Sequence, residues 1–277
     1  MMCGKMITVA YGMVPCGQCL ACRINTRRKR AARLILEARA QEQTSAFLTL
    51  TYDDDSVPYT IDSDGVLNQT LVKEDFSLWI RRVKERLPGV RYAGVGEYGD
   101  RTLRPHYHAV LFGVHYVEAQ RVLWETWKKG AEERQQATEF NPERAEYLAG
   151  YTMKKMTKPE DNRLARGQAP EFFRQSVRPA IGCSPDVVEF LAELHRSDGG
   201  SRYMVMNRDV VSAVRMGRKI WPIDRTLRGY VRKALDVPER ERGRVNRRTV
   251  HTRDDRDKAA ARLAKTERRE AKRSKQL

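Results

Sequence analysis

No stretch of this 277-residue chain approaches the roughly 18 consecutive apolar residues that a membrane-spanning helix needs. The start, Met1-Met2-Cys3-Gly4-Lys5, lacks the apolar stretch of a secretory signal, so the expected location is the cytoplasm. Cysteine is scarce. There are five, an odd count, and three of them cluster, which argues for thiols or a metal site and against a disulfide framework. No internal repeat is visible, which excludes a solenoid or propeller. Acidic residues are also in deficit: 36 Asp/Glu face 53 Lys/Arg, a formal net charge of +17. A chain this basic most often meets a polyanion, and nucleic acid is the first candidate. Apolar residues make up 40%, enough for a packed core in one large domain or two small ones.

The charge is uneven. Residues 239–277 hold fifteen Lys/Arg against seven Asp/Glu, a surplus of eight, and no aromatic residue. This tail reads as a solvated helix or a disordered arm, in contact with phosphate or serving solubility alone. We divide the chain into a Cys-rich N-terminal element with a basic helix (1–43), a central domain with its C-terminal extension (44–235) and the basic tail (236–277).

Several elements can be placed. Arg23 to about Gln43 is rich in Ala, Arg, Leu and Glu and reads as a long helix. Ala46 to Tyr52 is a strand ended by Asp53-Asp54-Asp55. Residues 56–70 form a loop or small hairpin. Phe76, Ile80, Val83 and Leu87 have helical spacing over 73–87, and Pro88-Gly89 stops that helix. Val90 to Glu97 and His106 to Gly113 form a hairpin. Glu118 to Lys129 is a helix with Trp124 and Trp127 in the core. Asn141-Pro142 opens another, running to about Pro159. Residues 160–180 read as a loop or lid, and 185–197 as a helix. The stretch 200–235 is not placed.

The chemistry starts at Arg104-Pro105-His106-Tyr107-His108-Ala109-Val110-Leu111-Phe112-Gly113. Alternate residues of a strand share a face, so His106 and His108 project side by side, with Cα atoms about 6–7 Å apart. Val110 and Phe112 continue that face, while Ala109 and Leu111 cover the other. Paired imidazoles can hold a metal. Glu97, in Gly94-Val95-Gly96-Glu97-Tyr98-Gly99 of the preceding strand, is the best third ligand, and Asp53 the next. A His₂–carboxylate set accepts several divalent ions; phosphoryl transfer selects Mg²⁺ or Mn²⁺.

Downstream, Tyr147, Tyr151, Lys154 and Lys158 form one helical stripe within about 60°. Ala145, Ala149, Met153 and Met156 form a separate apolar stripe that packs the helix down, so the tyrosines are not needed for the core. A phenol with a pKa of about 10 is a poor nucleophile at neutral pH. Nearby lysine charge favours the phenolate, and a metal can neutralise charge developing on a phosphate. Two further clusters stand upstream. Cys16, Cys19 and Cys22 either hold Zn²⁺, with Cys3, Cys183 or a histidine as fourth ligand, or are buried small residues at a helix start. Arg27, Arg28, Lys29 and Arg30, with Arg33, either touch phosphate or form a solvated helix face.

Taken in order, the strand Phe47-Leu48-Thr49-Leu50-Thr51, then His106-Tyr107-His108, then Tyr147-x₃-Tyr151-x₂-Lys154 resemble the three motifs of the HUH endonucleases that start rolling-circle replication. The paired tyrosines and the Pro15-Cys16-Gly17-x-Cys19-x₂-Cys22-Arg23 start resemble the gokushovirus-type initiators of microviruses. So do Gly96-Glu97-Tyr98-Gly99 and the Lys154-Lys155 pair. The resemblance covers residues 15 to about 158, with a weaker echo at Gly217–Ile223 and nothing beyond Leu235.

It implies an α+β fold, an antiparallel RRM-like sheet flanked by helices. It implies that Tyr147 or Tyr151 attacks a phosphodiester at an origin in single-stranded DNA, leaving a 5′-phosphotyrosine and a free 3′-hydroxyl, and that the strand is later rejoined into a circle. It also implies host helicase and polymerase as partners, in the cytoplasm of an infected bacterium. Two other classes compete. A His₂–carboxylate iron oxygenase or metal hydrolase leaves the tyrosines and the charge without a role. A non-enzymatic DNA-binding protein with a zinc knob leaves the histidine strand without one. A plasmid- or transposon-type HUH nuclease would use similar motifs. Which tyrosine attacks first is not legible in the sequence.

Overall fold

A run of alternating apolar residues that is buried on both sides must lie inside a sheet, and here it becomes the middle strand. A computed structural model describes residues 3–9, 12–41, 44–99, 102–154, 164 and 166–238. Strands β3 (Ala46–Thr51), β6 (Arg91–Tyr98), β7 (Pro105–Phe112), β8 (Gln136–Glu139) and β9 (Phe172–Gln175) form an antiparallel sheet in the order β8-β3-β7-β6-β9. The fold is α+β, as expected. The histidine strand β7 is central, paired with β3 on one side and β6 on the other.

The two faces of β7 enter different cores. Tyr107, Ala109 and Leu111 pack against α2 (Lys73–Arg86) and α3 (Tyr116–Thr126), chiefly Phe76, Trp79, Val83, Val122 and Leu123. Val110 and Phe112, on the histidine face, pack under α1 (Leu20–Arg39) and α4 (Pro142–Lys154), with Ala31, Leu34, Ala145, Leu148 and Ala149. Helix α4 starts as its sequence predicts, with Asn141 Oδ1 accepting from Arg144 N at 2.9 Å.

Two glycines explain how β6 fits between its neighbours. A Cβ on Gly94 would collide with the Phe76 ring, and one on Gly96 would lie 2.6 Å from the Phe172 ring. Only glycine lets those rings come this close to the strand that carries Glu97.

The C-terminal extension forms a third cluster, in which α5 (Pro185–Arg196) and α7 (Arg225–Ala234) pack on Leu36 of α1. Helix α6 (Asp198–Asn207) follows α5, and the hairpin β10 (Ala213–Met216)–β11 (Lys219–Pro222) sends Trp221 under α1. Small hairpins β1 (Ile7–Val9)–β2 (Gly12–Val14) and β4 (Tyr59–Ile61)–β5 (Leu67–Gln69) and a 3-10 turn at Glu132–Arg134 are also described. No helix among the described residues is long and apolar enough to cross a membrane.

Two sequence readings need correction. Trp124 is not in the core: it is 41% exposed and donates its indole N–H to Glu132 O, while Trp127 alone is buried and bonds to Thr51 O. Residues 160–180 are not all loop, because Phe172–Gln175 adds an edge strand to the sheet. The tail from 239 onward lies outside the described residues.

Asp224 joins the extension to the central domain. Its carboxylate caps α7 by accepting from Leu227 N at 3.0 Å and pairs with Arg33 of α1 through both oxygens. Burial would push this carboxyl up, but Arg33 and the α7 amides hold it below the usual carboxylate range. Its contribution is therefore complete above a pH of about 4 and is lost as pH falls through its lower native value. Asp224→Asn is expected to cost about 1.5–3 kcal/mol near neutral pH. In urea titrations that gap should narrow below a pH of about 4; a gap that stays constant with pH would contradict the ion-pair account.

Candidate metal and nucleophile site

The β6–β7 register places Glu97 directly opposite His106, and Val95 opposite His108. His106 Nε2 lies 2.9 Å from Glu97 Oε1, and His108 Nε2 lies 3.0 Å from the same oxygen. Each Nδ1 faces an oxygen instead: Arg104 O at 3.1 Å for His106, and Thr49 Oγ1 at 3.1 Å for His108. An Nδ1–H that donates outward leaves each Nε2 as a lone pair facing inward, the tautomer a metal ligand requires. Three ligand atoms of Glu97, His106 and His108 thus lie within 4.8 Å of one another, and this N₂O set fits a divalent cation.

Burial frames the cluster. Glu97 is 2% exposed. Desolvation pushes its carboxyl up, yet the two imidazoles override this and hold it below the ordinary value. For His106 desolvation works downward, but the bonds to Glu97 and the Arg104 carbonyl hold it above its ordinary value.

Helix α4 brings both tyrosines over this cluster. The Tyr147 hydroxyl lies 3.3 Å from His108 Nε2 and 3.4 Å from Glu97 Oε1. The Tyr151 ring sits 4.7 Å from that of Tyr147 and 6.3 Å from that of His108, centroid to centroid. Phe47 stacks on His108 at 5.3 Å, and Arg144 lies over Phe47 at 5.2 Å. Tyr147 is 37% exposed, so the cluster opens to solvent on the Tyr147 side. The Lys154 backbone ends α4, while its side chain and the whole of Lys158 lie outside the described residues, as does Met156.

Other expected residues fall elsewhere. Asp53 is not at this cluster; its carboxylate caps the loop at Ala131 N. Arg27 donates to Glu146 O at 3.1 Å and Arg28 to Ile220 O at 2.9 Å, so both are bonded into the fold. Arg30 lies over the Phe173 ring, and Lys29 lines a cavity of about 380 Å³ with it. Sequence reasoning missed the part played by Thr49. It sits in the quoted Phe47–Thr51 strand, but only the β3–β7 register sets it opposite His108.

The cysteines converge separately. The sulfurs of Cys3, Cys16, Cys19 and Cys22 lie within 4.8 Å of one another, whereas Cys183 is buried in the C-terminal cluster and takes no part. The Cys22 N–H pulls the Cys19 thiol down to about 6, while burial pushes Cys22 up to about 12.

Three known proteins and one family model are similar to this chain in sequence. Residues 45–159, which span β3 to α4, match the family of the replication-associated protein ORF2. Replication-associated protein VP4 of Bdellovibrio phage phiMH2K is 31% identical over 170 residues, covering 53% of this chain and 50% of that protein. Replication-associated protein ORF2 of Spiroplasma virus 4 is 25% identical over 191 residues, 59% and 58% of the two chains. For replication-associated protein ORF4 of Chlamydia phage 1 the values are 30% over 164 residues, 51% and 38%. The match spans about half the length of these relatives. No solved structure matches the chain significantly. The family model thus matches the segment that bears the site, and the three relatives are replication-associated proteins of phages or viruses of bacteria.

Proposed function

We propose that this protein is a nicking and joining enzyme for single-stranded DNA, an HUH tyrosine endonuclease acting at a phage origin. The observation that carries the reading is the Tyr147 hydroxyl, held 3.3 and 3.4 Å from the two atoms His108 Nε2 and Glu97 Oε1 on which a metal ligand set converges. Bound there, Mg²⁺ or Mn²⁺ would supply Lewis-acid stabilisation of charge on the scissile phosphate. Glu97, His106 and His108 would hold it.

The reaction is a transesterification. The Tyr147 oxygen attacks phosphorus and gives up its proton to solvent, to which its side chain is open, because His108 Nε2 and Glu97 Oε1 would be taken by the metal. The bond from phosphorus to O3′ breaks, and O3′ takes up a proton to become a free hydroxyl. The DNA 5′ end stays on the enzyme as a phosphotyrosine. That ester keeps the bond energy, so rejoining needs no ATP. Tyr151, one helical turn on, would cut the regenerated origin while Tyr147 is occupied. The basic charge supplies sequence-independent affinity for the strand, through Lys29, Arg30, Lys158 and the tail. Host helicase and polymerase would act on the opened strand in an infected bacterial cell. The phage relatives favour this form over a plasmid or transposon nuclease.

The test is to incubate the full chain with circular single-stranded DNA carrying the cognate origin, with Mn²⁺ or Mg²⁺, and to digest any adduct for mass spectrometry. A nucleotide on Tyr147 is the expected result. Neither nicking nor adduct with either ion would leave a DNA-binding protein as the better reading.

A further inference from the structure

We infer that Cys3, Cys16, Cys19 and Cys22 form a structural zinc site that caps α1 and, through α1, seats the tyrosine helix. This inference is independent of the nicking reading.

The sulfur geometry is that of a metal site and not of a disulfide. Cys3 Sγ lies 3.5 Å from Cys16 Sγ and 3.7 Å from Cys19 Sγ. A disulfide needs about 2.05 Å. A tetrahedral site with Zn–S distances of about 2.3 Å has S···S edges of about 3.8 Å. Backbone amides also point at the sulfurs: Cys16 N and Lys5 N donate to Cys3 Sγ at 3.3 and 3.4 Å, and Cys19 N donates to Cys16 Sγ at 3.3 Å. N–H donors aimed at sulfur stabilise thiolates, the form that binds metal. Four soft thiolates select zinc over the hard cations suited to phosphoryl transfer.

The position gives the site its purpose. Helix α1 begins at Leu20 after Cys19, with no side-chain hydrogen bond at its N-cap and no acidic residue in its first turn. In a helix of twenty residues without acidic residues at its start, the first-turn amide of Cys22 faces the Cys19 sulfur, so a thiolate there opposes the positive end of the dipole. A zinc–tetrathiolate centre carries two net negative charges at that end. It also ties the β1–β2 hairpin, which separates Cys3 from Cys16, to the helix start. Along α1, Arg27 then donates to Glu146 O, the carbonyl just before Tyr147, and lies against Gly150. Ala31, Leu34 and Ile35 share a core with Ala145, Leu148 and Ala149 of α4.

The experiment measures zinc by elemental mass spectrometry on the full chain carrying His106→Ala, so that the histidine cluster adds nothing to the count. One zinc per chain is expected. Cobalt(II) should replace it with thiolate-to-cobalt charge-transfer absorption and tetrahedral ligand-field bands. Cys3→Ser should lose its zinc to a chelator at concentrations that leave the parent loaded, and Cys183→Ala should not. Chelation should lower the thermal midpoint of the parent chain. Should Cys3→Ser fail to fold, the cobalt spectrum of the parent decides alone. Substoichiometric metal after refolding with equimolar zinc, or a cobalt spectrum without the charge-transfer bands, would overturn the site. An unchanged thermal midpoint on chelation would overturn its structural role.

Discussion

Tyr147→Phe is expected to reduce cleavage of origin DNA by about 10³-fold or more, because the change removes the oxygen proposed to attack and leaves the ring in place. DNA affinity should stay within about twofold, since phosphate contacts dominate it. The isosteric change keeps the ring's packing against His108 and Tyr151, 5.3 and 4.7 Å away between centroids. Tyr151→Phe should behave differently: first-strand cleavage should persist while circular product falls. The double variant should lose both and still bind. Nicking assays with labelled origin strands, run beside a binding titration, separate the outcomes. An active Tyr147→Phe paired with an inactive Tyr151→Phe would reverse the assigned order of the nucleophiles.

His108→Ala carries the second large effect. It removes one of the two imidazoles proposed to hold the metal, together with a neighbour of the Tyr147 hydroxyl. A loss of several kcal/mol of transition-state stabilisation, about 10³-fold in rate, is expected along with loss of Mn²⁺ binding at this site. Thr49→Val tests the orientation of that ligand more gently. Without the hydroxyl, His108 Nδ1 has no oxygen opposite it, and metal affinity should fall by about 10–100-fold while the protein stays folded. Mn²⁺ titration followed by electron paramagnetic resonance reads both variants. If His108→Ala bound Mn²⁺ as the parent does, the metal would have to be held elsewhere.

Both experiments depend on residues that the sequence revealed unequally. His106 and His108 were legible because a period of two on a strand needs no long-range information, and the apolar residues after them marked both faces. Glu97 was reachable because a short hairpin fixes which residues face each other. The tyrosine stripe followed from helical period alone. Thr49 was not legible, since its place beside His108 depends on how two strands distant in sequence align. Cys3 was visible only as one of several possible fourth ligands, because the β1–β2 hairpin that returns the chain to Cys16 was not read. Phe172–Gln175 is a four-residue edge strand with a mixed burial pattern, too short for periodicity to show. Trp124 was misassigned because a tryptophan on a helix was taken as core, whereas its N–H instead serves the Glu132 carbonyl in a 3-10 turn.

The central position of β7 has a consequence for how the molecule opens. Its amides and carbonyls are paired on both sides, by β3 and by β6, and both of its faces are covered by packed helices. Such a strand exchanges its amide hydrogens only when the whole domain unfolds. The histidines therefore sit in the last part of the protein to come apart, while the tyrosines ride on a helix at its surface. On the proposed reaction, movement of α4 would let one tyrosine follow the other while the Glu97, His106 and His108 frame beneath them kept its shape.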